Sequence, residues 1–227
     1  MNQNDDLDLF SSSQCFQELV PEELEYLKAE KKQIAYQRGE TICKQGAFAP
    51  YVLYVVDGLV KVYIELSRNR QKAIRLLKTG DFIAFQAVFG ESAYQYTASA
   101  VKDSTICMIN KDALKKMLFE NKDFAFRLVA RNYLSENHLL ETIKDTIQKQ
   151  MPGKLASALL YLSSPQFGNE SVFPYLTRKD LADFAGITTE STVKILKEFE
   201  QDGLIKTDGK DIEIVKKERL EDVSLHG

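Results

Sequence analysis

The segment TRKDLADFAGITTESTVKILKEFEQ, residues 177–201, leaves a chain little freedom in how it folds. Thr177 supplies an N-terminal cap for one short helix, Gly186 can take the sharp turn after it, and Thr188 caps a second, amphipathic helix. Leu181, Ala182 and Ala185 fall on the face turned towards Ile187, Ile195, Leu196 and Phe199, and Ala182 is small enough to let the helices cross closely. The outward positions of the second helix are Thr189, Glu190, Val193, Lys194 and Lys197. Such punctuation predicts a helix-turn-helix, which presents one helix to a DNA major groove. Two amphipathic helices joined at a glycine also describe plain core packing, so the residues after Gln201 matter. There, DGLIKTDGKDIEIV reads as two alternating strands around Asp208-Gly209, the signal of a hairpin. A helix-turn-helix followed by a short hairpin is a winged module whose wing lies beside the phosphate backbone.

Charge argues less directly. From Pro152 to Gly227 there are ten Lys and Arg against thirteen Asp and Glu, a formal −3, so this region is not basic as a whole. Affinity for phosphate would rest on local clustering of Arg178, Lys179, Lys194, Lys197, Lys206 and Lys210, with the acidic residues turned away. An ordinary solvated surface is the other reading of the same charges. Spacing is the more specific signal, and it favours nucleic acid.

The first half of the chain has a different grain. From Ile34 to Asn110, glycines recur at Gly39, Gly46, Gly58, Gly80 and Gly90, with the β-rich segments TICKQG, YVLYVVDG, LVKVYIEL, AIRLLKTG and STICMIN among them. Short strands evenly spaced by turn residues predict a compact antiparallel barrel or roll. SRNRQKA reads as a polar hairpin tip, and PEELEYLKAE, before the roll, as a helix. A long helix is predicted from about Asn121 to Gln150, ending where Met151-Pro152-Gly153 breaks the pattern. Phe126, Val129, Tyr133, Leu140, Ile143 and Ile147 fall on heptad a and d positions of that helix, with Glu136 as a polar interruption. This seam suits either packing on its own barrel or a parallel dimer. A DNA-reading module favours the dimer, because two recognition helices must stand about 34 Å apart to meet two half-sites. The fold class expected is α+β, with a roll over residues 1–120, a dimerisation helix over 121–151 and a winged module over 152–227.

Composition removes several classes of function. With 227 residues, 44% hydrophobic and 28% charged, the chain can bury one or two cores and is not of disordered type. The start, MNQNDDLDLF, has no basic region followed by an apolar run, so no secretory signal is expected. Apolar stretches such as YVLYVV are far too short to span a bilayer, so no membrane partner is expected. Cys15, Cys43 and Cys107 are widely separated and odd in number, which gives neither a disulfide framework nor a paired-thiolate metal site. A reducing cytoplasm is the expected compartment. His138 and His226 are too few and too far apart for a catalytic or metal cluster, and no nucleophile with a base is visible, so no enzyme is expected. His138 as an axial haem ligand and His138 as a solvated helix-face residue are the two readings of that position. Tyr51, Tyr54, Tyr63, Tyr94 and Tyr96 read as packing in the roll in preference to a ligand cage.

The order roll, long helix, winged helix-turn-helix resembles the catabolite-activator and fumarate-nitrate-reductase regulator (CRP/FNR) family, from about Phe16 to Leu220. QRGETICKQGAFAPYVLYVVDGLVKVYI resembles its effector-domain signature and TRKDLADFAGITTESTVKILKEFEQDGLI its DNA-binding signature, with Thr177, Leu181, Gly186, Thr188, Glu190, Ile195, Leu196 and Gly203 where the family pattern has such residues. The resemblance implies a homodimer that reads an inverted-repeat operator on double-stranded DNA, with RNA polymerase as a further partner. It makes Glu190 an acceptor from base edges and Lys194, where Arg is usual, a donor one turn later. Both types suit groove chemistry, since Glu accepts from a cytosine amino group and Lys donates to guanine. Thr188, Thr189, Val193, Lys197, Arg178 and Lys179 complete the expected DNA-facing set, with Val193 a candidate for contact with a thymine methyl.

The sensor half departs from the family's cyclic-nucleotide pattern. Members that bind cyclic nucleotides follow Gly-Asp-Phe with Gly-Glu, whose Glu holds the ribose, and later carry Arg-Ser/Thr-Ala, whose Arg pairs with the phosphate. This chain reads GDFIAFQAVFGESAYQYTASA, with Ala84-Phe85 and Tyr96-Thr97-Ala98 at those places. A buried phosphate without a cation is poorly compensated, so cyclic AMP is not expected as effector. An iron–sulfur cluster is not expected either, since Cys15 stands alone where the oxygen sensors have clustered cysteines. Phe85, Gln86, Tyr96 and Thr97 are the candidate pocket for a less polar, unidentified effector. The competing function is a ligand-binding sensor module whose helix-turn-helix serves as a protein-interaction surface.

Overall fold

The computed structural model describes residues 16, 19–67, 70–90, 92–168 and 171–227, and the side chains of 131–138, 141 and 146 also lie outside the described set. Cys15 and the side chains of Tyr133, Glu136 and His138, which the sequence singles out, are therefore not placed. Two compact units emerge, one of residues 1–62 with 77–137 and one of residues 63–76 with 138–227.

Helix α1, Pro21–Ala29, precedes eight strands: β1 Lys31–Tyr36, β2 Thr41–Cys43, β3 Tyr51–Asp57, β4 Leu59–Ser67, β5 Arg70–Lys78, β6 Phe82–Ile83, β7 Thr97–Ala100 and β8 Ser104–Asn110. They form two four-stranded sheets in the orders β1-β8-β3-β6 and β2-β7-β4-β5. β8 pairs antiparallel with β1, from Lys31 opposite Ile109 to Tyr36 opposite Ser104, and with β3 on its other edge. The expected antiparallel roll is thus present. β1, β6 and β7 were not legible in the sequence, because KKQIAY buries none of its residues and the other two are very short. Gly58 links β3 to β4 with φ +114, and a Cβ there would lie 2.1 Å from Ser104 Oγ and 2.7 Å from Ser104 Cα. Only glycine meets both demands, which lets the two strands turn directly over β8.

The first unit is filled by Leu53, Ile83, Ile106, Ile109, Leu114 and Met117, and by aromatic rings: Phe16 lies 5.4 Å from Tyr54 edge-on and 6.1 Å from Phe124. Helix α2, Lys111–Glu120, is a finding beyond the sequence reading. Asn110 caps it by accepting from the Asp112 and Ala113 N–H groups, and Ala113, Leu114 and Met117 bury one face. Helix α3 runs Lys122–Gln148, close to the predicted long helix. Phe124 and Leu128 are buried, whereas Phe126, Val129, Leu140, Ile143 and Ile147 are between 49% and 77% exposed. These five predicted seam residues therefore each leave about half or more of their surface open.

SRNRQKA needs a correction. The polar segment is not all hairpin tip, since β4 continues to Ser67 and β5 begins at Arg70. Within the second unit Gln71 Nε2 donates to Asp183, Lys72 Nζ donates to the Phe184 carbonyl, and the Leu76 N–H donates to the Tyr161 hydroxyl at 3.1 Å. Of its polar side chains, Gln71 and Lys72 have protein partners, while Ser67 and Arg70 are exposed.

Met151-Pro152-Gly153 ends one helix and opens the next. Helix α4, Met151–Leu162, carries Pro152 in its first turn, where a missing N–H costs nothing. Helices α5, Arg178–Ala185, and α6, Thr189–Gln201, follow, then strands β9, Ile205–Asp208, and β10, Asp211–Ile214, and finally helix α7, Lys217–His226. α7 was not predicted: of its ten residues only Leu220 and Ser224 are buried, too sparse a stripe to read. The α+β class, the roll and the winged helix-turn-helix match the expectation. No helix among the described residues is long and apolar enough to cross a membrane.

Candidate nucleic-acid interface

Local chemistry builds the helix-turn-helix. Thr177 and Asp180 form a reciprocal cap, the Asp180 N–H bonding Thr177 Oγ1 at 3.1 Å and the Thr177 N–H bonding Asp180 Oδ2 at 2.8 Å. α5 ends at Gly186, whose φ of +71 is left-handed and whose N–H donates to the Ala182 carbonyl at 2.8 Å. Two residues on, Thr188 Oγ1 accepts the Ser191 N–H at 3.1 Å and starts α6. At 100° per residue, Thr192, Ile195, Leu196 and Phe199 share one face of α6 and all four are buried. Burying each of the three apolar side chains stabilises the module by roughly 1.5–3 kcal/mol. Packing thereby fixes which face is left over.

That face carries Glu190, Val193, Lys194 and Lys197, spaced i, i+3, i+4 and i+7, and all four are exposed. Glu190 sits in the first turn, where its own N–H and the Thr188 hydroxyl hold its carboxyl below the ordinary range. It is therefore an anion at any physiological pH, and a favourable one at a helix N-terminus. Lys194 Nζ approaches Glu198 at 3.8 Å, an exposed i, i+4 pair worth about 0.3–0.5 kcal/mol. So weak a pair leaves Lys194 available to a stronger anion. Thr189 is half-buried, and the Thr188 hydroxyl is engaged by Ser191, so these two are less open than their sequence positions suggested.

Arg178 differs most from expectation among the predicted DNA-facing residues. Half-buried at the start of α5, its guanidinium donates to the Gly209 carbonyl at 3.0 Å and the Lys210 carbonyl at 3.5 Å, at the tip of the β9–β10 hairpin. Partial burial lowers its pKa and the nearby Glu200 carboxylate opposes that shift. Glu200 near the end of α6 accepts from the Thr207 hydroxyl at 2.6 Å and the Thr207 N–H at 3.0 Å. Sequence reasoning missed Glu200, Thr207 and Ser171, whose hydroxyl donates to Asp211 at 2.6 Å, because their partners lie across a turn whose geometry is not local. Lys179, Lys206 and Lys210 are exposed.

A polar cluster was also missed. Lys149 Nζ pairs with Asp145 at 2.6 Å and donates to Ser157 Oγ at 2.7 Å and Ser224 Oγ at 3.1 Å, joining the end of α3 to α4 and α7. Beside it a cavity of about 130 Å³ is lined by Lys72, Thr142, Asp145, Lys154, Ser157 and Tyr161.

In the first unit, Ala84 keeps a left-handed φ of 58, the conformation that suits the glycine usual at that place in the resembling pattern. Its N–H donates to the Tyr96 hydroxyl at 2.7 Å. Phe85 is buried with its ring 6.0 Å from Phe82 and 5.6 Å from Phe89, and Thr97 Oγ1 accepts the Gln45 N–H at 3.1 Å. Tyr96 and Phe85 are thus brought together through Ala84, while Thr97 faces Gln45 and Gln86 is partly exposed. Cys43 and Cys107 are buried and unpaired with each other, and burial pushes the Cys43 thiol up to about 12, which makes it unreactive. Among the described residues no group of His, Cys, Asp or Glu is arranged to hold a metal ion.

An antiparallel roll followed by a winged helix-turn-helix with a solvent-facing second helix defines a transcription regulator with a DNA-binding domain. Residues 33–121 match the model of a cyclic nucleotide-binding domain and residues 153–223 that of a Crp-like helix-turn-helix domain, and the chain belongs to the CRP/FNR regulators. It is 22% identical over 221 residues to the CRP-like cAMP-activated global transcriptional regulator of Mycobacterium tuberculosis, covering 94% of this chain and 97% of that one. It is 26% identical over 183 residues to the cAMP-activated global transcriptional regulator CRP of Escherichia coli, covering 78% and 86%. The solved structure of FixK2 from Bradyrhizobium japonicum superposes with a TM-score of 0.74 at 21% identity, covering 85% of this chain and 96% of that chain.

Proposed function

We propose that this regulator works as a cytoplasmic homodimer, joined along α3, that reads an inverted-repeat operator through the exposed face of α6. The observation that carries this reading is the division of α6 into a buried face and an exposed face bearing Glu190, Val193, Lys194 and Lys197. Glu190 accepts from a cytosine amino group, Lys194 donates to guanine, and Lys197, Lys179 and the wing lysines meet phosphate. The five exposed apolar residues of α3 support a two-fold seam, because an unpartnered stripe of this size is costly in water. RNA polymerase is the further partner through which DNA binding alters transcription.

The effector differs from that of the two cAMP-activated relatives. Tyr96 and Phe85 stand where the resembling pattern has the phosphate-binding Arg and the ribose-binding Glu. The Tyr96 hydroxyl is turned to the Ala84 N–H, and the Phe85 ring packs between Phe82 and Phe89. Each charge-assisted contact is worth roughly 1.5–3 kcal/mol, so a site without both does not retain cyclic AMP at cellular concentrations. Any effector taken near Phe85, Gln86, Tyr96 and Thr97 is less polar. Selection of bound sites from random DNA tests the reading, together with titration calorimetry against cyclic AMP and cyclic GMP. An enriched inverted repeat and no heat of binding are expected. Absence of any enriched sequence removes the regulator's operator reading, and a micromolar dissociation constant for either nucleotide with a gain in DNA affinity removes the second part.

A further inference from the structure

We propose that Arg178 is a positioning residue for the wing: by holding the hairpin tip it brings Lys210 to the DNA backbone, and it does not itself neutralise a phosphate. This rests on the reading of α5, α6 and the β9–β10 hairpin as the DNA interface.

An isolated two-stranded hairpin is marginal in water, so the direction in which a wing points must be imposed by its neighbours. Here both helices of the reader impose it. The first contributes Arg178, whose Nη2 and Nη1 donate to the adjacent carbonyls of Gly209 and Lys210 at 3.0 and 3.5 Å. The planar fork of a guanidinium suits two neighbouring acceptors in a way that a lysine ammonium does not. The recognition helix contributes Glu200, which takes both the N–H and the hydroxyl of Thr207 on β9 and faces Arg178 electrostatically. Ser171 secures β10 through Asp211. Ile205 and Ile212 are buried beneath the hairpin, while Lys206 and Lys210 are exposed on it. Two guanidinium donors of Arg178 are given to the wing, and the cation at the hairpin tip that stays exposed is Lys210, the residue whose carbonyl Arg178 holds.

Two measurements test this. In DNA-free protein, amide hydrogen exchange at Lys206, Thr207 and Glu213 should accelerate in Arg178→Ala while the α5 and α6 amides stay protected; unchanged wing exchange would overturn the proposal whether or not the protein binds DNA. On the selected operator, Arg178→Ala and Lys210→Ala should each weaken binding roughly tenfold and lower the salt slope by about 0.9 for each phosphate no longer neutralised, with the preferred sequence unchanged. The double variant should be no weaker than the weaker single, because both act through one phosphate. Arg178→Lys, which keeps charge and loses the fork, should resemble Arg178→Ala. Multiplicative losses in the double variant, a wild-type-like Arg178→Lys, or an inert Lys210→Ala would each return Arg178 to direct phosphate binding. A wild-type protein without DNA affinity would remove the interface reading while leaving the exchange result to decide the role of Arg178.

Discussion

Lys72 illustrates how a single charge enters the stability of this fold. Its ammonium reaches the Phe184 carbonyl from β5, and a Cβ added to Gly186 would stand 3.3 Å from its Nζ. Burial lowers its pKa to about 8, with Asp145 pulling it back up, Lys154 pushing it further down and Asp183 again opposing. A lysine whose folded pKa lies below its unfolded value binds fewer protons when folded, so stability rises with pH between about 8 and 10.5 and the penalty is complete below 8. Denaturant unfolding across that range should show the rise, on the order of a few kcal/mol, and Lys72→Met should flatten it. An equally steep rise in the variant would assign it to other groups. At the interface, Glu190→Ala and Lys194→Ala should each cost about 1–3 kcal/mol at the selected operator and relax discrimination at one base position per half-site. Sites re-selected with each variant measure this, and an unchanged preferred sequence for both would contradict the assignment. The exposure of Glu190 and Lys194 was legible in the sequence because it follows from position on one helix. The wing-facing role of Arg178 was not, because it depends on where a hairpin 31 residues further on folds back.

Elements whose signals are local were read correctly. Thr177, Gly186 and Thr188 punctuate α5 and α6 through bonds spanning three or four residues, and Asp208-Gly209 turns β9 into β10. α2 has a cap at Asn110 and a buried Ala113, Leu114 and Met117 stripe, yet it follows β8 without a break, so no turn residue separates its pattern from that of the roll. β1 and α7 bury too little of their own sequence to be seen and owe their existence to partners, β8 for one and α4 for the other. Gly58 marks how tightly the roll is drawn together. Gly58→Ala should lower stability by about 3 kcal/mol or more, since the new methyl meets Ser104 backbone and must also adopt φ +114. A melting temperature within a degree of wild type would contradict that. The exposed residues of α3 make the other prediction at this scale: Leu140→Glu with Ile143→Glu should yield monomers in sedimentation at micromolar concentration, with much weaker DNA binding. An intact dimer in that variant would take this seam out of the account.

At the scale of the whole molecule, the order of roll, long helix and winged reader was visible in the chain before its folding was known, because each part has its own periodicity. The partners of the polar hairpin segment Gln71 and Lys72 were not, since nothing in SRNRQKA names Asp183 or Phe184 as the residues it meets. The formal −3 of residues 152–227 remains the feature most at odds with a DNA reader, and it makes salt dependence the sharpest probe. In the proposed function a dimer binds an inverted repeat by neutralising phosphates with the few cations that α5, α6 and the wing expose. Affinity for the selected operator measured from about 50 to 200 mM salt tests it most directly, since each neutralised phosphate contributes roughly 0.9 to the logarithmic slope. Two chains per duplex and a steep linear fall in affinity are expected; a flat salt profile, or no binding to any upstream DNA at the lowest salt, would contradict dimeric operator binding.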